Sequence, residues 1–148
     1  LAVDFERDSE PVIARARALR DLLGARLTLL HVLEYVPPVM DSMYLGYSGE
    51  MALPAETADL EGELAEIARR QMDILGDQLA VAPADRLVRI GPIGEIIDQV
   101  AEELGVDLIV IGSHGRHGLL SLFGSTARSV LRGASRDLLC VRIPEARA

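Results

Sequence analysis

Four of the chain's 13 glycines (Gly112, Gly115, Gly118 and Gly124) fall inside one short stretch, Gly112-Ser113-His114-Gly115-Arg116-His117-Gly118-Leu119-Leu120-Ser121-Leu122-Phe123-Gly124-Ser125-Thr126. The stretch follows an apolar run and opens a helical pattern. Glycine lets backbone N–H groups come close to a ligand and adopt positive φ. The first N–H groups of a helix are unpaired, and the helix dipole favours an anion there. The Gly124-Ser125-Thr126 corner is therefore expected to cradle a phosphate, with the Ser125 and Thr126 hydroxyls as further donors. The plainer account is a tight strand-to-helix loop capped by Ser125. It would suffice for an isolated glycine pair; four glycines and a Gly-Ser at the helix start favour the anion site. The stretch contains no Gly-x-Gly-x-x-Gly dinucleotide fingerprint and no Gly-Lys-Ser/Thr of a P-loop.

Asp4, which ends the apolar run Leu1-Ala2-Val3, is the second candidate. It can cap local backbone, as aspartate after a strand commonly does. A carboxylate in an apolar crevice needs a donor, however, and a ligand can supply one. His31 lies inside an apolar run and reads as a core histidine with its hydrogen bonds satisfied. His114 and His117 can reach a phosphate when protonated, or simply face solvent. No carboxylate pair, nucleophile–base couple or metal-ligating cluster has the spacing that catalysis needs. Asp98, Glu102 and Glu103 read as a solvated helix face.

Composition narrows the classes. The chain has 148 residues, 49% of them apolar, which suits one compact domain spanning 1–148. Its net charge is −8, and all 15 basic residues are arginine. An acidic chain is a poor general nucleic-acid binder, because no broad positive surface is left to displace counterions. The absence of lysine removes P-loop NTPases, Schiff-base enzymes and kinases with a phosphate-pairing lysine. Cys140 is the one cysteine, so no internal disulfide forms, in keeping with a reducing compartment. No segment reaches the ~18 apolar residues of a membrane span, and no signal-peptide pattern is visible; the expected location is the cytoplasm. The apolar first residues suggest a first strand truncated at its N-terminus. Residues 116–148 carry six arginines against Asp137 and Glu145. Arg116, Arg128 and Arg132 can thus draw an anion towards the glycine loop.

The elements that hold these residues follow from periodicity. Val12, Ala16, Leu19 and Leu23 recur at helical spacing, with Asp8 or Ser9 as cap, Pro11 in the first turn and Gly24 as stop. Leu27 to Leu33 reads as a strand buried on both faces. Residues 35–55 form a long connection holding all three tyrosines and three of the four methionines. A helix is predicted from Glu56 to Leu79, with Leu60, Leu64, Ile67, Ile74 and Leu75 facing inwards. Then come a strand at 87–90, a helix from 94 to 104, a strand at 108–111, a helix at 125–133 and a strand at 138–143. Strands alternating with helices predict a doubly wound α/β domain with a parallel sheet.

At this point the sequence resembles the universal stress protein family. ATP-binding members carry Gly-x2-Gly-x9-Gly-Ser/Thr after the fourth strand and an aspartate at the end of the first. This chain has Gly112-x2-Gly115-x8-Gly124-Ser125 and Val3-Asp4 at the matching places. The resemblance implies a five-stranded sheet of order 3-2-1-4-5, counted from residues 1–3, in a three-layer α/β/α sandwich. It also implies an adenine-nucleotide pocket: Val3 and Asp4 at the adenine edge, a backbone contact from Val32, and Ile111 and Gly112 lining the adenosine. Gly115, Arg116, Gly124, Ser125 and Thr126 would hold ribose and phosphates. Doubly wound sheets bind ligands at such a switch point. The loop is one residue shorter than the pattern, which favours contacts to adenosine or AMP over those to the triphosphate.

The function expected is that of a stress-response protein binding ATP or AMP, with or without Mg2+, at this crevice. The nucleotide would bias a homodimer, formed through edge strand 138–143 as in the family, or a partner surface. The alternative is a nucleotide-independent interaction module using loop 35–55, since methionine and aromatic side chains suit adaptable contacts. A true ATPase ranks last: nothing in the motifs orients a water.

Overall fold

The computed structural model describes residues 1–34, 55–114, 125–133 and 135–144. Connection 35–54 and loop residues Gly115, Arg116 and Gly124 lie outside these. The element order is α1 (Glu10–Leu23), β1 (Leu29–Leu33), α2 (Ala55–Gln78), β2 (Arg86–Ile90), α3 (Ile93–Glu103), β3 (Leu108–His114), α4 (Ser125–Gly133) and β4 (Asp137–Ile143). This is the α/β alternation that the periodicity predicts. No described helix is long and apolar enough to cross a membrane.

All strand pairing among the described residues is parallel. β1 pairs with β2, Leu29 opposite Arg86 through Leu33 opposite Ile90. β3 pairs with β4, Leu108 opposite Asp137 through His114 opposite Ile143. The first predicted strand is reduced to a parallel bridge between Ala2 and Leu30. It nonetheless touches both pairs: Leu30 N–H donates to Leu1 O at 2.9 Å, Val3 N–H to Leu30 O at 2.9 Å, and Ala2 N–H to Val110 O at 3.0 Å.

Alternating side chains separate two apolar layers, as the two-residue period of a strand requires. Val3 and Leu29 pack with Met72 and Leu75 of α2 and with Leu79 just beyond it. On the same face, Val12 and Ala16 of α1 meet Val110 and Ile143. Ala2, Leu30, Ile109 and Ile111 pack on the other face against Ile97 and Val100 of α3 and Val130 of α4. Both faces are covered, as a parallel sheet needs.

Several expectations are corrected. α1 ends as predicted, with Gly24 in the left-handed region at φ 61°, but Leu23 is exposed. Neither Asp8 nor Ser9 caps the helix: a 3-10 turn, Arg7–Ser9, leads into it, no side chain caps the Ser9 position, and Pro11 lies in the first turn as expected. β3 runs on to His114, so Gly112 lies within a strand and does not begin the loop. α2 is rotated from the predicted phase. Leu75 is buried as predicted, but Ala65, Ala68 and Met72 make up the rest of the core face, whereas Leu64, Ile67 and Ile74 are exposed. The helix carries apolar residues on two adjacent stripes, and the smaller alanines let its backbone sit closer to the sheet; the side chain of Leu60 is outside the described set.

Glycines set the helix contacts. A Cβ on Gly94 would lie 2.0 Å from Ser129 Oγ, so α3 and α4 touch there. One turn on, a Cβ on Gly133 would meet Asp98 Oδ2 at 2.3 Å. Asp98 is thus wedged between two helices instead of lying on a solvated face. Its Oδ1 is buried without a hydrogen-bond partner, and no ion pair reaches it among the described residues. Burial, and secondarily the Glu102 charge, raises its pKa.

Two consequences can be measured. Gly94→Ala should destabilise the fold by about 2 kcal/mol through overpacking against Ser129, read as a lower urea midpoint. A raised carboxyl pKa means that the folded state binds the Asp98 proton more tightly than the unfolded chain does. The resulting stabilisation is present below the ordinary aspartate range and is lost as pH rises through the raised value. Asp98→Asn should therefore be more stable than the parent at pH 7, read as a higher melting temperature. Thermal melts from pH 7 down to pH 4 should show that advantage shrinking.

Candidate functional site

The C-terminal ends of the parallel segments lie side by side at one edge, a place we call the notch. Ala2 is level with Leu30, so two residues further on Asp4 follows the bridge where Val32 continues β1. Ala2 N–H also reaches Val110 O, which puts the Gly112–His114 end of β3 on the other flank. β3 then feeds the connection to α4, whose first residue is Ser125.

Asp4 is exposed at this notch instead of being enclosed in an apolar crevice. Its Oδ1 accepts the Glu6 backbone N–H at 3.1 Å and the Ser9 hydroxyl. The local role set beside the ligand role is therefore real, and it uses one oxygen. Ser9 is buried, so this bond satisfies a hydroxyl that would otherwise be costly to bury. The Glu6 bond closes an Asx turn, Asp4 bonding the backbone two residues on.

Val3 and Ile111 contribute core side chains, 8% and 2% exposed. A ligand at the notch would meet these residues through their backbones. Val32 packs partly buried on the α3/α4 layer. Gly112 has a packing reason of its own: a Cβ there would stand 2.9 Å from Ile143 and 3.0 Å from Val12, so it lets α1 approach the sheet. Ser125 and Thr126 open α4, with the unpaired N–H groups that a helix start provides. Arg128 is exposed on the same helix.

Two residues that carry local geometry were not predicted as part of the site. Phe5, directly after Asp4, has φ 60°, a left-handed conformation that costs a bulky residue ~1 kcal/mol or more. Its ring centroid lies 4.5 Å from that of His31, at 38° between planes. His31 is half-buried, and its Nδ1 lies 2.7 Å from Val3 O. A carbonyl can only accept, so Nδ1 is the protonated nitrogen. The satisfied histidine expected at 31 is thus present, on the backbone of the residue before Asp4. Only the succession Asp-Phe, with a phenylalanine where a turn asks for glycine, hints at this in the sequence.

Known proteins agree with this architecture. The model of the universal stress protein family matches residues 1–142. Universal stress protein A homolog 2 of Coxiella burnetii is 38% identical over 143 residues, 97% of this chain and 91% of that one. Universal stress protein MJ0577 of Methanocaldococcus jannaschii is 27% identical, covering 94% of this chain and 90% of the relative. The solved structure of MJ0577 superposes with a TM-score of 0.73 over 98% of this chain and 94% of that one, at 24% identity. A universal stress protein solved in complex with cAMP gives a TM-score of 0.62 at 19% identity, over 97% and 95% of the two chains. The chain belongs to the universal stress protein family.

Proposed function

We propose that this protein binds an adenine nucleotide, ATP or AMP, at the notch between Asp4, Val32 and the end of β3, and that the nucleotide regulates its association with itself or a partner. The observation that carries this reading is the placement of Asp4. A carboxylate with one oxygen engaged by Glu6 and Ser9 stands where two parallel segments end and β3 leads to a helix start. An exocyclic amino group can donate to such a carboxylate while the phosphates lie on the N–H groups of α4. A relative in complex with cAMP supports adenine recognition within this fold. Gly115, Arg116, Gly124, Ser125 and Thr126 then hold ribose and phosphates, with Mg2+ accompanying a triphosphate.

The same reading makes residues 1–3 the middle strand of one sheet in the order 3-2-1-4-5, within a single domain. It leaves β4 as an edge. β4 pairs with β3 alone among the described strands, and apolar edges invite pairing; we assign residues 138–143 to a homodimer contact. Regulation in the cytoplasm, without substantial turnover, completes the proposal.

Protein purified without added nucleotide, then denatured, should release ATP or AMP identifiable by chromatography and mass spectrometry. Gly124→Asp, which sets a negative charge at the cradle, should weaken binding by at least about tenfold. An empty protein that also ignores added ATP would shift the function to a nucleotide-independent module acting through 35–55. Sedimentation at micromolar concentration should give a dimer; monomer alone would remove β4 as the interface.

A further inference from the structure

We propose that Phe5 and His31 are positioning residues that fix the turn carrying Asp4 and so set how its carboxylate meets the adenine amino group. The inference rests on the nucleotide reading above and adds two residues which that reading leaves without a role.

Phe5 and Ala80 are the described non-glycine residues with positive φ, 60° and 52°. Ala80 has an ordinary account, because it follows the end of α2 and its neighbour's N–H, that of Val81, returns to Gly76 O at 2.8 Å; left-handed residues commonly close helices this way. Phe5 ends no helix. Its conformation persists because the surroundings over-determine it, the condition under which strained residues gather at functional sites.

Those surroundings grip Asp4 from both sides. Before it, the Val3 carbonyl accepts from His31 Nδ1 at 2.7 Å, while Val3 N–H donates to Leu30 O. After it, the Phe5 ring rests on the same imidazole at 4.5 Å. One side chain on β1 thereby holds both neighbours of the carboxylate. Glu6 N–H and Ser9 Oγ occupy Oδ1, and no hydrogen bond among the described residues falls on Oδ2. The orientation of the carboxylate is set by a turn whose conformation the His31–Phe5 contact supports.

Adenine and hypoxanthine separate this role from a merely structural one. Adenine offers an amino donor at the six-position; hypoxanthine offers a carbonyl that repels a carboxylate. The ratio of ATP to ITP affinity therefore reads the placement of Asp4, whereas ITP affinity alone reads the phosphate cradle and the fold. Calorimetric titration of the full chain should show the parent preferring ATP by at least about tenfold, the scale on which a site built for one hydrogen bond rejects the wrong partner. Asp4→Ala should abolish that preference.

Phe5→Leu, His31→Leu and Phe5→Gly should lose most of the preference, with ITP affinity held within about threefold, while Phe5→Tyr keeps it. Phe5→Gly safeguards the test against misfolding, since glycine takes this φ without strain. If the parent discriminates and Phe5→Gly or His31→Leu discriminates equally well, the positioning role is overturned. If the parent binds both nucleotides alike, the inference also falls, although nucleotide binding stands. If it binds neither, the nucleotide reading itself fails and the inference with it.

Discussion

Three backbone hydrogen bonds from Leu1, Ala2 and Val3 join the molecule. β1 with β2, and β3 with β4, are separate parallel pairs, and two strands alone are at best marginally stable in water. The N-terminal segment bonds Leu30 on one side and Val110 on the other. Its side chains also alternate between the two apolar layers, Ala2 joining Leu30 and Ile111, Val3 joining Leu29 and Met72. A segment too short to register as a full strand thus takes part in both pairs and both faces. Wherever it is held, Asp4 is held, so the stability of the sheet and the geometry of the notch have a common origin.

Glycine explains why helices can lie so close to this sheet, and why a glycine motif is an ambiguous signal. Gly94 admits Ser129 and Gly133 admits Asp98, bringing α3 and α4 together. Gly112 admits Val12 and Ile143 beneath α1. At Gly76 a Cβ would stand 2.1 Å from Arg86 Nε; the Arg86 side chain, 10% exposed, bonds Asp77 at 2.7 Å and Val81 O at 2.9 Å, tying the end of α2 to the start of β2. In each case a missing side chain makes room for a neighbour. The physics that lets a phosphate approach a backbone also lets a valine approach it. Gly112, read from sequence as lining a ligand pocket, has one such structural use already.

This bears on what sequence can disclose. Element types were legible because they follow from periodicity: apart from the first strand, reduced to the Ala2–Leu30 bridge, every predicted helix and strand appears near its expected place among the described residues, and Gly24 stops α1 as a left-handed cap. Phase within α2 was not, because Leu64, Ile67 and Ile74 make as regular a stripe as Ala65, Ala68 and Met72. Which stripe is buried depends on how near the helix can come to the sheet, a tertiary matter. Asp98 looked solvated because its neighbours along the chain are acidic, yet the group that buries it is Gly133, 35 residues away. Around Asp4, the bonds made by Ser9 and His31 were not legible. Ser9 read as a helix cap and His31 as core, and neither pattern reveals which carbonyl or carboxylate the side chain meets.

The local bonds at Asp4 do not compete with the ligand role proposed for it; they would make that role less costly. A free carboxylate on a flexible turn must give up its rotamer freedom when a base binds, and that entropy is subtracted from the affinity. Here the Glu6 and Ser9 donors have already restricted the side chain. The backbone on either side is set by His31 through Val3 O and the Phe5 ring. The ordering and the strain at Phe5 are met when the protein folds, supported by the apolar layer that holds Val3 and Leu29. An exposed aspartate with one oxygen engaged is therefore better prepared to select a partner than one buried without a donor, and the contrast with Asp98 shows the difference. There, an orphaned carboxylate oxygen between two helices has no turn to anchor it and no donor to accept from, and it opposes folding as pH rises. At Asp4 the same functional group, given two donors, is compatible with a stable fold and with the role proposed for it.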